Sequence, residues 1–553
     1  MAKRLAIYNP AGNVGIGENP FGKDVANLQL YRALARYGGY DPLYVLGHGQ
    51  SDDAQLTAAF DADRPGASRI VGGHVLNQDL AAKAGAVLRG LPRLQDLAWL
   101  RRRAVGDAGY SLIGLVHTLA PPVVRGEIAL HAISPLQPWD ALICTSPSVQ
   151  DALTRMFDEF GDYLGARFGG GKIVRPRLPL IPLGVDGARF AQLADRPAVR
   201  AARRAKFGLG DDDILVLWVG RLSFFEKAFP QAMLQAAQLA ATKTGAKVCF
   251  VQAGWFPSPE ANEKQYAAVA QAYAPSVQVE IFNGNDAQGV GELWAAADIF
   301  ISLVDNIQET FGITPVEAMA AGLPAVVSDW DGYRYTVRDG EEGFLIPTLG
   351  GPADGIGVRM AAPHNLLIES YQTYAGAVAQ HTAVHVGRAA QALSDLIASP
   401  ELRKRMGEAG RARVAAMFDW PVVAAGYDAL VDELAAVRAA APAAPAGGLN
   451  PARGDPFRDF SGFATDVLDD DTVLRLADGA TADALRRTQT LELDRAYSGY
   501  RATLDECLQA FALIGQGKVG TVGEVLAKTP PPRRAAMQLG LIWMCKRGLL
   551  DWL

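Results

Sequence analysis

The chain alternates short apolar segments with longer helical stretches, in two separate series. The first series runs through residues 1–190, and the second begins at residue 214. The predicted strands are 5–8, 42–46, 110–117, 141–145, 214–220, 247–251, 277–282, 299–302, 325–328 and 343–346. Strands that are separated by helices pair in parallel through crossover connections. Two such series predict an α/β protein with two doubly wound, Rossmann-like domains that face each other across a cleft.

Composition divides the 553 residues further, and a chain of this length is expected to hold about two to four domains. An alanine-, proline- and glycine-rich stretch near residue 440 has the composition of a linker. The predicted divisions are a first Rossmann-like domain (1–190), a second (191–388, with an insertion near 347–387), closing helices (389–437), a linker (438–448) and a mainly helical C-terminal module (449–553).

The C-terminal module is predicted to end in two helices, at 521–528 and 533–547, on either side of the Pro530-Pro-Pro532 turn. This arrangement resembles a winged-helix domain. Docking to another protein, or formation of a homodimer, is the expected use of such a module here.

Charge and cysteine content exclude several function classes. The formal net charge of −6 argues against a protein that binds nucleic acid mainly through electrostatics. The four cysteines are far apart and form no C-x-x-C pair, which fits a reducing compartment. Neither a signal peptide nor an apolar run of membrane-spanning length is recognisable. The prediction is a cytoplasmic protein, with a peripheral location at the inner face of the membrane left open.

Two glutamates, Glu309 and Glu317, stand eight positions apart after the predicted strand 299–302. The first lies on a strand-to-helix loop and the second inside the helix. Both acids therefore lie at the carboxyl end of a parallel sheet, where open α/β folds bind ligands. Glu317 could accept hydrogen bonds from ribose hydroxyls, and Glu309 could face a sugar.

The predicted helix that contains Glu317 begins at a segment whose residues could bind a phosphate. Glycine permits close backbone approach, and the amides of a helix N-terminus favour an anion. The candidate residues of this turn are Phe311, Gly312, Ile313 and Thr314.

A basic pair follows the strand 214–220. Gly220 ends that strand, Arg221 comes next, and Lys227 lies six residues further on. Arginine forks onto phosphate oxygens and lysine adds a point charge, so both could reach one polyanion.

The first domain contributes weaker signals at the same cleft. His117 ends a predicted strand, at the carboxyl edge where functional residues gather in such sheets. A glycine-rich loop that starts at Asn9 leads to Gly22 and Lys23, which could approach phosphates or an acceptor.

These motifs occur in a fixed order: Gly220-Arg221…Lys227, then Glu309-Thr-Phe-Gly…Glu317-Ala-Met-Ala-Ala-Gly-Leu-Pro, then Asp339-Gly340…Gly343-Phe-Leu. Together they resemble the retaining nucleotide-sugar glycosyltransferases of family 4, which have the two-domain GT-B fold. The resemblance covers about the first 435 residues and is strongest in the second domain.

The resemblance implies a role for each matching residue. Arg221 and Lys227 would contact the donor diphosphate, Glu317 the ribose, and Glu309 and His117 the donor sugar. Two departures from the family pattern bear on the site. Ala228 replaces the usual glycine after the lysine, and the loop 329–334 reads Asp-Trp-Asp-Gly-Tyr-Arg.

The expected function is therefore a hexosyltransferase-type enzyme. It would move a sugar from a nucleoside-diphosphate sugar to an acceptor hydroxyl with retention, using neither a metal nor a cofactor. The acceptor would be a glycan, a lipid-linked molecule or a protein, as in bacterial-type polysaccharide, glycolipid or glycoconjugate synthesis.

Two other classes stay open. A nucleotide-sugar epimerase could share the fold and the diphosphate site. A regulatory DNA-binding protein could act through the C-terminal module, although acidic residues dilute its basic side chains Arg533, Arg534, Lys546 and Arg547.

Overall fold

The computed structural model describes residues 3–11, 22–49, 51–62, 65–169, 173–257, 259–442 and 446–553, without the side chains of 259–261. Most of the glycine-rich loop after the first strand, residues 12–21, lies outside this description. The chain divides into two compact units, 1–448 and 449–553.

The first sheet of unit 1–448 has six parallel strands in the order β3-β2-β1-β4-β5-β6. These strands are β1 (Lys3–Tyr8), β2 (Tyr40–Gly47), β3 (Ile70–His74), β4 (Ala86–Arg89), β5 (Ser111–Leu115) and β6 (Ala141–Ile143). Their helices are α1 (Gly22–Tyr37), α2 (Asp53–Asp61), α3 (Gln78–Ala84), α4 (Gln95–Val105), α5 (Pro122–His131) and α6 (Pro147–Phe168).

The second sheet is also parallel, in the order β12-β11-β10-β7-β8-β9. Its strands are β7 (Ile214–Val219), β8 (Val248–Gly254), β9 (Gln278–Asn283), β10 (Ile299–Ser302), β11 (Ala325–Ser328) and β12 (Gly343–Ile346). Its helices are α7 (Gly187–Ala194), α8 (Pro197–Lys206), α9 (Gln231–Thr244), α10 (Pro259–Tyr273), α11 (Ala287–Ala296), α12 (Ile313–Ala321) and α13 (Tyr333–Thr336).

Each sheet has the strand order 3-2-1-4-5-6 when its own strands are counted along the chain, which is the doubly wound order of Rossmann domains. Apolar helices cover both faces of each sheet, so every sheet is buried between two cores. The predicted fold class is confirmed.

After β12 the chain forms a short antiparallel pair around two further helices. These elements are β13 (Thr348–Leu349), α14 (Val358–Asn365), α15 (Tyr371–Gln380) and β14 (Ala383–Val384). We call residues 350–382 the insertion. The segment was predicted to interrupt the alternating pattern, and the structure gives it a helical hairpin.

Three helices complete unit 1–448, and they serve different sheets. They are α16 (Val386–Ala398), α17 (Pro400–Arg413) and α18 (Trp420–Ala439), with a π turn at Val414–Phe418 before α18. Helix α16 packs in a core of the second sheet, through residues such as Leu393. Helix α18 returns to the first sheet, where Tyr427 and Leu434 are buried against it.

Unit 449–553 is mainly helical, with one antiparallel strand pair. Its elements are α19 (Pro456–Asp459), β15 (Leu474–Leu476), α20 (Ala482–Arg487), α21 (Glu492–Arg495), α22 (Leu504–Gly515), α23 (Val522–Ala527), α24 (Arg534–Lys546) and β16 (Leu550–Trp552), with 3-10 turns at Ser461–Phe463, Ser498–Tyr500 and Pro531–Arg533. The two helices expected near its end are present as α23 and α24. The winged-helix assignment stays a prediction.

Two features of the first sheet differ from the sequence-based expectation. The short strands β3 and β4 were not predicted, and in β3 two glycines weaken the strand pattern. Strand β5 ends at Leu115, so His117 lies in the loop after the strand instead of at its last position.

A buried charge cluster fixes β10 of the second sheet. Asp298, directly before this strand, accepts hydrogen bonds from Arg204 (2.8 Å) and from the backbone amide of Leu215 on β7 (2.8 Å). Removing one partner of a buried pair leaves an uncompensated charge, so replacing either Asp298 or Arg204 would strongly destabilise the fold. The cluster sets the register of the two strands whose carboxyl ends carry the candidate site.

Among the helices of the described ranges, none is long and apolar enough to cross a membrane.

Candidate functional site

The loops after β7 and β10 meet at the carboxyl edge of the second sheet. Lys227 Nζ lies 3.3 Å from Glu309 Oε2. The two strands are neighbours in the sheet, which explains why residues 82 positions apart come together.

The other oxygen of Glu309 faces the entrance of α12. Its Oε1 accepts hydrogen bonds from the backbone amides of Thr310 (3.2 Å), Phe311 (3.4 Å) and Gly312 (3.1 Å). Burial alone would raise the pKa of this carboxyl, but Lys227 and the amides outweigh it, and the pKa is lowered. The amides that were expected to favour a phosphate therefore already surround an anion, the carboxylate of Glu309.

Gly312 makes this turn possible. Its φ of 86° is in the left-handed region, and a β-carbon there would overlap the ring of Tyr333. Tyr333 is itself buried and its hydroxyl lies 2.9 Å from Ser302 Oγ at the end of β10. The turn is thus packed directly against the sheet.

Of the other residues predicted for this turn, Phe311 packs in the core, whereas Ile313 and Thr314 belong to α12. The side chain of Phe311 is buried and packs edge-on against Phe418, with ring centroids 5.9 Å apart. Ile313 begins α12, and Thr314, next in the helix, lies near the hydroxyl of Tyr333. Phe311 therefore meets the Glu309 carboxylate through its backbone amide and not through its side chain.

Arg221 lies on the same loop as Lys227 but has its own carboxylate partner. Its Nη1 is 3.0 Å from Glu226 Oε2, and its guanidinium lies 5.8 Å from the ring centroid of Trp255. Both members of the ion pair are about nine-tenths buried, at 12% and 10% side-chain exposure. Gly220 precedes Arg221 and packs close to Trp218. The pair holds the arginine rigidly beside the lysine.

Glu317, in α12, is in a different state from Glu309. Burial raises its pKa to about 7, and Arg189 offsets only part of that rise. No hydrogen bond to its carboxyl group is recorded within the described ranges. A poorly solvated carboxyl of this kind is a typical functional-site feature.

In the first domain, His117 and Lys23 lie near each other, and the structure places both Gly22 and Lys23 in the first turn of α1. His117 Nε2 lies 2.8 Å from Asn27 Oδ1, and Asn27 Nδ2 donates to the Gly90 carbonyl at 3.0 Å. Burial, reinforced by Lys23, lowers the pKa of His117 to about 4, so the ring is neutral at pH 7. Both Gly22 and Lys23 are exposed.

The two domains touch at this site. Thr310 Oγ1 donates to the carbonyl of His117 (2.7 Å), and Thr145 Oγ1 donates to the carbonyl of Thr310 (3.4 Å). A third bond joins Ser146 Oγ to Asp331 Oδ1 at 3.0 Å. Because Thr310 lies between Glu309 and Phe311, domain contact is connected directly to the anion-binding turn.

Asp331 belongs to the atypical loop 329–334. The pKa of its carboxyl is raised to about 7, chiefly by burial and also by the nearby Glu309 charge. The hydrogen bond from Ser146 acts in the opposite direction. Its φ of 42° is unusual for a residue other than glycine. A partly buried acid with a strained backbone near Glu309 is a candidate site residue that the sequence indicated only as part of this loop.

Sequence reasoning missed a polar pair after β10. Asp305 Oδ2 accepts the Phe229 amide at 3.1 Å, and Asn306 Nδ2 donates to the Lys227 carbonyl. The Asn306 carbonyl also accepts from Trp330 Nε1 at 2.9 Å. Both side chains are buried and connect the Lys227 turn to its neighbours. The signal was present, since two polar residues follow an apolar strand at the ligand-binding edge.

Comparison with known proteins agrees with this geometry. Residues 199–349 match the family described as "Glycosyl transferases group 1". The chain is 31% identical over 215 residues to a D-inositol 3-phosphate glycosyltransferase of Geodermatophilus obscurus, covering 36% of this chain and 44% of the relative. It is 28% identical over 174 residues to the protein of that description in Nocardia farcinica, covering 31% and 37%. The chain thus spans less than half the length of these relatives.

A solved structure extends the comparison to the fold. A glycosyltransferase from Rickettsia africae superposes with a TM-score of 0.50 at 14% identity, covering 78% of this chain and 98% of that one. Both facing sheets are included in a match of that extent. Residues 199–349 therefore resemble the glycosyl transferases group 1 family, within a chain whose two doubly wound sheets have the GT-B fold.

Proposed function

We propose that this protein transfers a sugar from a nucleoside-diphosphate sugar to an acceptor hydroxyl, with retention of anomeric configuration, in the manner of family 4. One observation carries the proposal. Lys227 and the amides at the entrance of α12 surround a single anion position, which Glu309 occupies in the free protein. A cation and the backbone amides of a loop that enters a helix, directed at one point, are features that can hold a diphosphate.

The chemistry follows from the same groups. Departure of the nucleoside diphosphate generates negative charge on the leaving phosphates and positive character on the sugar. Lys227, Arg221 and the amides of α12 would stabilise the leaving group in a site that excludes water. These fixed positive charges would do the task that a metal performs in other enzymes, and the transfer itself needs no cofactor.

The remaining roles complete the donor site. Glu317, with its raised pKa, would accept hydrogen bonds from the ribose hydroxyls. Glu309 and neutral His117 would contact the transferred sugar, a hexose, once the diphosphate is in place. Gly22 and Lys23 would bound the first-domain side of the cleft, where the acceptor enters.

For the acceptor we infer a hydroxylated molecule: a glycan, a lipid-linked glycan precursor or a protein. Two curated relatives are described as acting on D-inositol 3-phosphate, which supports a hydroxyl acceptor in general. We place the reaction in the cytoplasm or at the inner membrane face. An epimerase or a DNA-binding protein has no support from the matched domain.

The test is product analysis with purified full-length protein. Incubation with UDP-, GDP- and ADP-hexoses and a panel of hydroxylated acceptors should give a glycoside, and proton NMR should show the donor's anomeric configuration. An inverted linkage refutes retention. Conversion of the donor to an isomeric nucleotide sugar without any acceptor would identify an epimerase instead.

A further inference from the structure

The insertion, residues 350–382, begins where the match to the glycosyl transferases group 1 family ends. Its ends are held together by the β13–β14 pair, in which Thr348 opposes Val384 and Leu349 opposes Ala383. Helix α15 then packs against the loop that carries Arg221 and Lys227. A β-carbon at Gly376 would lie 3.1 Å from Phe225 Cβ, so the backbone of α15 closely approaches this loop. The insertion is therefore a wall of the candidate site.

Three aromatic rings of the insertion form one cluster. The rings of His364 and Tyr374 are stacked, with centroids 5.6 Å apart and planes 7° from parallel. Tyr371 contacts both, at 5.9 Å from His364 and 6.4 Å from Tyr374. Contacts of this kind limit the rotamers that a ring can adopt. Tyr371 is thus fixed at the first position of α15.

The hydroxyl of Tyr371 leaves the insertion and reaches the site. It donates a hydrogen bond to Gln308 Oε1 at 2.9 Å. Gln308 directly precedes Glu309. The backbone amide of Gln308 donates a hydrogen bond to Asn306 Oδ1 at 3.0 Å. The backbone of Gln308 is therefore held by Asn306 of the same loop, and its side chain is held by the insertion.

Tyr371 also lies close enough to the Arg221–Glu226 ion pair to be affected by both charges. Burial raises the pKa of its hydroxyl, the nearby Glu226 charge raises it further, and Arg221 acts in the opposite direction. Tyr371 therefore stays protonated, and it donates its hydroxyl hydrogen to Gln308 Oε1, which can only accept. A side-chain amide whose oxygen is engaged in this way keeps its Nε2 hydrogens for another acceptor.

We propose that Gln308 is a specificity-determining residue which donates from Nε2 to a hydroxyl of the transferred sugar, and that Tyr371 is the positioning residue which orients it. The inference deepens the proposed function and rests on it. In the proposed function Glu309 contacts the sugar, and Gln308 is its direct neighbour on the same loop. The insertion, outside the matched family domain, would thus select the sugar without touching the diphosphate.

Calorimetric titration can separate sugar recognition from diphosphate recognition. Full-length protein is titrated with three pairs of probes: UDP and UDP-glucose, GDP and GDP-mannose, ADP and ADP-glucose. The variants are Tyr371→Phe, Gln308→Leu and both together, with Tyr273→Phe as control, since Tyr273 is an exposed tyrosine at the end of α10.

We expect Tyr371→Phe to leave nucleoside-diphosphate affinity within about twofold and to weaken nucleotide-sugar affinity about tenfold, as for one lost hydrogen bond to a positioned group. Gln308→Leu should act alike, and the double variant should be no weaker than Gln308→Leu, because both changes remove one interaction. Equal weakening of both probes by Tyr371→Phe, or no effect on either, overturns the inference while leaving the proposed function intact. Absence of any diphosphate binding by the wild-type protein refutes the proposed function as well.

Discussion

Lys227 and Glu309 form an ion pair, with 3.3 Å between Nζ and Oε2, while the second oxygen of Glu309 accepts the amides that open α12. One carboxylate thus fills the position at which a lysine and the amides leading into a helix together favour an anion. A donor diphosphate must compete with this carboxylate, so Glu309 has two roles that oppose each other. It would serve the sugar in the complex and restrain diphosphate binding in the free protein.

Substituting Glu309 with glutamine should separate these roles. The neutral amide removes the competing charge, so we expect free UDP, GDP or ADP to bind about fivefold more tightly, a gain of about 1 kcal/mol. Sugar transfer should fall, because the group beside the sugar has changed. Calorimetry and a turnover assay measure the two effects, with exposed Glu408→Gln as the control. Weaker diphosphate binding in Glu309→Gln would contradict the competition.

Gly312 should not tolerate a side chain. At φ 86°, alanine meets both the left-handed backbone and the ring of Tyr333. Gly245 is the matched control, with φ 70° and open space around its β-position. We expect Gly245→Ala to cost about 1–2 kcal/mol and Gly312→Ala a further 1–3 kcal/mol or so from overlap. Melting temperatures report the difference, and equal decreases would show that Tyr333 does not confine this turn.

Thr310 should couple domain contact to turnover. Replacing it by valine keeps its shape and removes the donor to the partly buried His117 carbonyl, at a cost of about 1–3 kcal/mol. We predict a turnover about tenfold lower, since each 1.4 kcal/mol or so is tenfold in rate, and a larger radius of gyration in X-ray scattering. Thr57→Val, on the exposed side of α2, is the control. An unchanged radius together with normal turnover would exclude this coupling.

Glu317 should make stability fall as the pH rises towards neutrality. Its pKa is raised from 4.5 to about 7, so between these values the folded protein keeps a proton that the unfolded chain has lost. Asp331, raised to about 7, acts in the same direction. Between pH 5 and 8 the wild type should therefore lose more unfolding free energy than Glu317→Gln, by an amount on the order of 2 kcal/mol. Its melting temperature should decrease correspondingly more over the same range. Parallel pH profiles for the two proteins would show that Glu317 is solvated and titrates normally.

Much of this fold was predictable from local pattern. Strands such as Ile214–Val219 and Ile299–Ser302 are buried on both faces, so they appear in the sequence as continuous apolar runs. Their order in the sheet then determines which loops meet. Because β7 and β10 are neighbours, Lys227 and Glu309 had to approach each other once both strands were identified.

Other contacts have no local signal. Thr310 reaches His117 across 193 positions, and Tyr371 reaches Gln308 across 63. Such bonds depend on how one domain or an insertion docks on another, and no periodicity of 2.0 or about 3.6 residues encodes that. The pairing of Glu309 with its own helix amides was missed for another reason. The amides were assigned to a ligand, although an acid three residues before the helix cap can reach them first.

The central claim is that Arg221 and Lys227 bind the diphosphate of a sugar donor, and calorimetric titration of UDP, GDP and ADP tests it most directly. Wild type and exposed Lys243→Ala should bind one of these nucleotides alike, whereas Arg221→Ala and Lys227→Ala should each lose affinity about tenfold or more, the loss of a charge-assisted contact. Undiminished binding in both site variants, with their folding intact, would contradict the account.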